Sequence, residues 1–379
     1  MKNFEMIAKT LYGLEEVLAT ELKQLDATDI EPLNRAVKFT GNDALMYRCN
    51  LHLRSALRIL KPIATFEAGD VQQLYEQIKR LRWGQYLTAS QTFAIDATTS
   101  GQVFSHSKYV ALKAKDAIVD QFREKLGTRP SVDTDNPDLR LNIHIFRKSC
   151  TISLDSTGTT LDRRGYRLLH NPAPVNEVLA AGILLMTGWR GETDLLDPMS
   201  GSGTFAIEAA MLAANIPPGH KRAFAFEKWR DFNSKLWKEI KTEGSEQIGN
   251  ITGKIISADI DRRTLNVVRQ NAETAGVQDM LRIKGGNFLA GSRQIEEGTI
   301  IINPPYDERM PQPEVMKFYT SIGDQLKKEY SGCQAWIISG NLQAIKYLGL
   351  KPARKITLFN GPLECRLHHY ELYAGSRKG

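Results

Sequence analysis

Leu195-Leu-Asp-Pro-Met-Ser-Gly-Ser-Gly-Thr204 decides how this chain reads. Two leucines run into a carboxylate, Asp197, and a turn carrying Gly201 and Gly203 then opens an apolar stretch at Phe205. A short buried strand that empties through a glycine turn into a helix is the opening unit of a parallel α/β sheet. Glycines at such a turn let the backbone come close to a ligand. A phosphate-binding loop is not expected, because the Gly-Lys-Thr ending is missing: Gly203-Thr204 leads into Phe205.

Outward from this turn the pattern keeps alternating. Helices are predicted over 178–187, 203–214 and 262–275, and strands over 193–197, 254–259 and 298–302. After residue 314 come a helix, a strand over 335–339, and a hairpin turning at Asn360-Gly361. Buried strand, helix, buried strand implies a right-handed parallel sheet, whose ligands sit beyond the strands' carboxyl ends.

Three more strand ends carry chemistry. Asp259 can accept hydrogen bonds from both ribose hydroxyls of an adenosine group, while Asp261 suits a helix N-cap. A dinucleotide fold expects its acid about 20 residues after the glycine turn. Here Asp259 follows Asp197 by 62 residues, across an inserted stretch at about 215–250, which argues against an ordinary NAD fold. Asn287, after Ile283-Lys-Gly-Gly, can meet an adenine edge or serve simply as a loop residue.

The fourth end is Ile302-Asn303-Pro304-Pro305-Tyr306. The prolines fix the backbone and remove two competing donors. The Asn303 side-chain oxygen and the Pro304 carbonyl are then available to an exocyclic amine, with Tyr306 placed to stack on the attached base. Such an amine is a weak nucleophile because its lone pair is delocalised. Two acceptors can steer it toward a tetrahedral shape in front of a methyl sulfonium, so orientation and fixed dipoles replace a strong base. The glycine turn and this platform together fit S-adenosylmethionine beside a planar nitrogen.

The first 160 residues read differently. Residues 1–65 alternate strand and helix as a small ferredoxin-like α+β unit. A second unit follows, with a helix over 110–126 whose buried face is Ala114, Ile118, Phe122 and Leu126, a loop over 129–138, and strands over 139–146 and 150–154. The basic cluster Arg163, Arg164 and Arg167 offers a grip for phosphates at the site entrance, or a solvated linker.

Composition sets the limits. The 379 residues carry a formal charge of +7, a moderate basic excess compatible with a polyanionic partner. Four scattered cysteines without metal-ligand spacing point to reduced thiols and no metal. No apolar run approaches the roughly 20 residues of a membrane span. A soluble, cytoplasmic protein is expected, with no membrane association and no obligate protein partner inferred. His170, His368 and His369 are expected to be surface or packing residues.

As a set, Asp197-Pro-Met-Ser-Gly-Ser-Gly-Thr204 and Asn303-Pro-Pro-Tyr306 resemble the class I RNA methyltransferases with an N-terminal THUMP domain, above all the RlmL-like rRNA enzymes. Leu161-Asp-Arg-Arg-Gly-Tyr-Arg167 resembles the family's junction, and Ala173-Pro-Val-Asn-Glu177 its helix flanking the cofactor. The resemblance implies a ferredoxin-like domain at 1–65, a THUMP RNA-binding domain at 66–160 and a Rossmann-like methyltransferase domain at 161–379. It implies S-adenosylmethionine held by Asp197, Pro198, Gly201, Gly203, Thr204, Asp259, Asn287 and Glu177. The implied catalytic group is Asn303, Pro304, Pro305 and Tyr306. Ser200 stands where the family usually has cysteine, Asn287 where many relatives have an acid, and Asp307 where glycine is common.

The expected activity is formation of N2-methylguanosine in 23S rRNA, the base being flipped into the site. A transfer-RNA guanine, an N6-adenine in DNA, or a protein glutamine are rival substrates for the same chemistry. A non-catalytic RNA-binding assembly factor is the rival outside enzymology.

Overall fold

The computed structural model describes residues 2–167, 174–305 and 312–375. Its first half is β1 (Phe4–Thr10), α1 (Glu15–Gln24), β2 (Thr28–Leu33), β3 (Ala36–Gly41), α2 (Asp43–His52), β4 (Ala56–Glu67), α3 (Val71–Arg80), β5 (Thr92–Ser100), α4 (Ser107–Leu126), β6 (Ser131–Val132), β7 (Leu139–Phe146) and β8 (Ser149–Asp155). The second half is α5 (Glu177–Thr187), β9 (Asp194–Asp197), α6 (Thr204–Ala213), α7 (Ser234–Glu246), β10 (Ile255–Asp259), α8 (Arg262–Ala275), β11 (Leu281–Gly285), β12 (Gly298–Ile302), α9 (Gln312–Glu329), β13 (Gln334–Ser339), β14 (Arg354–Asn360) and β15 (Leu363–Glu371).

The two N-terminal units expected from sequence share one sheet of eight strands, ordered β2-β3-β1-β4-β8-β7-β5-β6. The twelve-residue β4 joins them, pairing with β1 over Ala56–Leu60 and with β8 over Leu60–Glu67. A strand of that length gives both units a common backbone ladder, so their boundary is not a flexible linker. On α4, Ala114, Ile118 and Phe122 are buried as expected, but Leu126 is 61% exposed at the frayed end before Gly127.

The second sheet runs β11-β10-β9-β12-β13-β15-β14. Its strands are parallel except β15, which pairs antiparallel with both β13 and β14. The chain leaves β9 toward β10 on one side and returns to β12 on the other. That reversal opens a crevice at the carboxyl ends of β9 and β12, where an open α/β sheet binds its ligands.

The inserted stretch after α6 does not hang free. Phe224, Phe226, Trp229, Trp237 and Ile240 all belong to the core of the N-terminal module. Leu14 reaches the other way, into the core beneath α5, where Gly182 leaves room: a Cβ there would lie 2.6 Å from a Leu14 methyl. Each module thus lends apolar side chains to the other. At roughly 1.5–3 kcal/mol per buried large side chain, this welds the halves together.

Candidate functional site

β9 delivers Asp197 to the bottom of the crevice, 1% exposed. Neither of its carboxylate oxygens has a well-formed hydrogen bond among the described residues. Burial foremost, and then the nearby Asp259 charge, push its pKa well above the ordinary carboxylate range; the Met199 N–H opposes this. A buried acid without a cation is costly unless something else supplies the positive charge.

The glycine turn is pinned to the neighbouring strand. Ser200 N donates to the Ala258 carbonyl at 3.0 Å and Gly201 N to Asp259 Oδ2 at 3.0 Å. Gly203 N closes the turn on the Ser200 carbonyl at 2.8 Å, and Asn271 Nδ2 holds the Ser202 carbonyl at 3.1 Å. Both glycines are left-handed, with φ of +53° at Gly201 and +81° at Gly203. Their surroundings differ. A Cβ on Gly203 would meet Val268 of α8 at 2.8 Å, whereas one on Gly201 meets no described atom within 4 Å. Gly203 serves packing, and Gly201 faces the crevice.

Asp259 ends β10 with its two oxygens accepting from Gly201 N and Asp261 N, each at 3.0 Å. Asp261 caps α8, accepting from Arg263 N at 2.9 Å. The division of labour expected for these acids is therefore visible for the cap. Asn287, exposed after β11, accepts from Leu289 N at 3.0 Å, the geometry of a loop residue closing its own turn.

β12 runs beside β9 with Ile300 opposite Leu196. Continued at about 3.3 Å per residue, Asn303 stands one strand over and roughly 6–7 Å beyond the level of Asp197. Asn303 is half-buried, Pro304 buried and Pro305 exposed at the rim. Tyr306 and Asp307 lie outside the described residues, as does His170.

Glu177 opens α5, whose cap Asn176 accepts from Val178 N and Leu179 N. The hairpin turn helps to seat this helix, since Asn360 Oδ1 accepts from Asn176 N at 3.2 Å. The crevice is lined by a buried carboxylate, a second carboxylate and a glycine backbone facing outward, a mainly acceptor set. It suits a ligand with one cationic end and a hydroxyl-bearing middle. S-adenosylmethionine has that pattern.

Residues 164–369 match the model of the RMKL-like methyltransferase domain, more than half of the chain. The chain belongs to the RMKL-like methyltransferase family. Residues 68–155 match the THUMP domain and residues 5–60 the RlmL ferredoxin-like domain. A protein of Synechocystis sp., proposed by its name to be an RNA methyltransferase, is 39% identical over 95% of both chains. The ribosomal RNA large subunit methyltransferase K/L of Syntrophotalea carbinolica is 38% identical over 95% of this chain and 52% of its own length. The chain thus spans about half of that relative. Among solved structures, SMU.472, proposed as a methyltransferase and solved with SAH, matches at 30% identity and TM-score 0.89, covering 100% of both chains. In this chain the methyltransferase domain is preceded by the THUMP and ferredoxin-like regions.

The basic cluster needs correction. Arg164 is not a phosphate grip: its side chain is 2% exposed and its Nε lies 3.4 Å from Glu208 Oε1 on α6. Its other nitrogens donate to the Leu161 and Arg54 carbonyls at 2.8 and 2.6 Å. Arg167, 8% exposed, is directed inward to Glu177. Arg163 remains exposed. A run of arginines reads as a charged surface only if solvent is its environment, and two of these three have buried partners. Sequence reasoning also missed Arg54, whose Nη2 donates to the Met211 and Ile216 carbonyls at 3.1 and 2.9 Å, capping the end of α6. A lone arginine after a helix gives no signal of that role.

His368 and His369 are packing residues. His368 Nδ1 lies 2.9 Å from the Tyr370 hydroxyl, and His369 stacks on Trp336. All four cysteines are buried. Among the described residues no group of His, Cys, Asp or Glu could hold a metal ion, and no helix is long and apolar enough to cross a membrane.

Proposed function

We propose that this protein methylates the exocyclic amine of a guanine in large-subunit ribosomal RNA, using S-adenosylmethionine. The observation that carries the reading is the adjacency of β9 and β12. It sets the Asp197 to Thr204 turn beside the Asn303-Pro304 acceptors at the sheet's switch point. The names of relatives along the whole chain, an RNA methyltransferase and the K/L rRNA enzymes, support the substrate class. The THUMP match supports RNA rather than DNA or protein.

When bound, S-adenosylmethionine supplies a methyl group activated by a sulfonium. Asp197 would meet the amino-acid ammonium, which would favour its ionised form, and Asp259 would accept from the ribose hydroxyls through lone pairs its backbone donors leave over. Pro198 and Thr204 shape the two ends of the turn, and Asn287 borders the adenine. The Asn303 side-chain oxygen and the Pro304 carbonyl hold the two amine hydrogens and point the nitrogen lone pair at the methyl. Pro305, and Tyr306 from sequence, form the base's platform. With the methyl group supplied by the bound cofactor, Asn303 and Pro304 would orient the accepting nitrogen, whose proton would pass to solvent. Arg163 remains available for a phosphate at the entrance. Buried cysteines and a ribosomal substrate suit the cytoplasm.

The test is mass spectrometry of rRNA and tRNA nucleosides from cells with and without the gene. Loss of N2-methylguanosine from one 23S rRNA position is expected. Unchanged rRNA with a lost tRNA methyl group would move the reading to the tRNA enzymes.

A further inference from the structure

The strap that carries residues 161–167 into the second domain ends inside the crevice. Arg167 Nε donates to Glu177 Oε1 at 2.9 Å, and Nη2 donates to the Val175 carbonyl at 2.9 Å and to Thr204 Oγ1 at 3.0 Å. Its Nη1 reaches Ser202 Oγ at 3.5 Å. One planar guanidinium therefore ties together the approach to α5, the first residue of α5, the glycine turn and the first residue of α6. A lysine ammonium cannot make this fork, because it is a point charge on a flexible stem.

The rest of the strap anchors the same helix. Arg164 holds Glu208, the Tyr166 hydroxyl donates to Glu208 Oε1 at 3.0 Å, and Arg54 caps the carbonyl end. Helix α6 is thus gripped at its start, middle and finish, and Arg167 is the grip that touches the turn. Burial raises the Glu177 pKa and the Arg167 charge opposes it, so the arginine favours an ionised carboxylate at the head of α5. A phosphate-binding arginine needs its guanidinium in solvent, and all four contacts here lie inside the protein.

Resting on the reading of the crevice as an S-adenosylmethionine cradle, we propose that Arg167 is a positioning residue: it fixes the spacing between Glu177 and the glycine turn, and so sets cofactor affinity without touching the RNA.

The test is calorimetric titration of S-adenosylhomocysteine into the full chain, for wild type, R167K, R167M, E177Q and R167M/E177Q, with thermal melts alongside. R167M is expected to weaken binding about tenfold or more, the scale of one lost charge-assisted contact. R167K is expected to stay closer to R167M than to wild type. The double variant should lose less than the product of the two single losses, because the residues act as one unit. A stability role alone would lower the melting temperature without that coupling. If R167M does not fold, R167K and E177Q, which keep the side-chain bulk, carry the comparison. Wild-type affinity in R167M or R167K, or singles that multiply, overturns the proposal. No binding by wild type would overturn the cradle reading, and this proposal with it.

Discussion

Tyr47 of the N-terminal module lies face to face on Phe226 of the inserted stretch, with ring centroids 4.3 Å apart and planes 16° from parallel. Phe224 also stacks on Phe226, and Trp237 packs T-shaped against it. Phe226 is fully buried, so its truncation removes a joint between modules. Phe226→Ala should cost about 3–5 kcal/mol. Urea denaturation followed by fluorescence should show one transition for wild type and a lower midpoint, broadened or split, for the variant. An unchanged midpoint would show that the stack contributes nothing to the joint.

The two glycines of the turn should separate stability from binding. Gly203→Ala forces a Cβ against Val268 at a left-handed residue, and should lower the melting temperature clearly. Gly201→Ala has only the backbone strain of roughly 1–2 kcal/mol to bear, yet its methyl points where the ligand is placed. It should fold and bind S-adenosylhomocysteine at least tenfold more weakly. Equal effects of both substitutions on both readouts would contradict this assignment.

Asp197 should tie affinity to pH. Its folded pKa is raised, so between the ordinary aspartate value of about 3.9 and that raised value the folded chain keeps a proton the unfolded chain has lost. Stability from this group is therefore present at low pH and falls as pH rises through the window. A cationic ligand favours the ionised form, so binding should release a proton, seen as a dependence of the calorimetric enthalpy on buffer. Asp197→Asn should melt at the same temperature or higher near neutral pH and lose affinity at least tenfold. A destabilised variant with normal affinity would reverse the assignment.

Asn303→Ala should leave S-adenosylhomocysteine affinity close to unchanged while reducing turnover about 10²–10³-fold, the loss seen for one preorganised catalytic hydrogen-bonding group. Single-turnover kinetics on ribosomal RNA would measure it. A large loss of cofactor affinity instead would place Asn303 in the cradle.

The second sheet was legible because its strands are short apolar runs, such as Ile300 to Ile302, that end in residues of special chemistry. β2 was not. Five of its six residues are exposed and Asp29 has positive φ, so an edge strand there shows no alternation. The single β4 was also obscured, since its second half is only partly buried and reads as the loss of a strand after Ile63. At the site, Asp197 and the glycines were identifiable by type and order. The inward turn of Arg164 and Arg167 was not, because their partners Glu208 and Glu177 are set by tertiary packing that local sequence does not encode.

The shared aromatic joint, together with the Leu14–Gly182 fit, leaves no slack between the N-terminal sheet and the crevice. On the proposed function, an RNA held by the first module would meet Asn303 only with a base at one fixed reach. Selection then works as a caliper does: by span between grip and jaw, with the fold itself as the measuring arm.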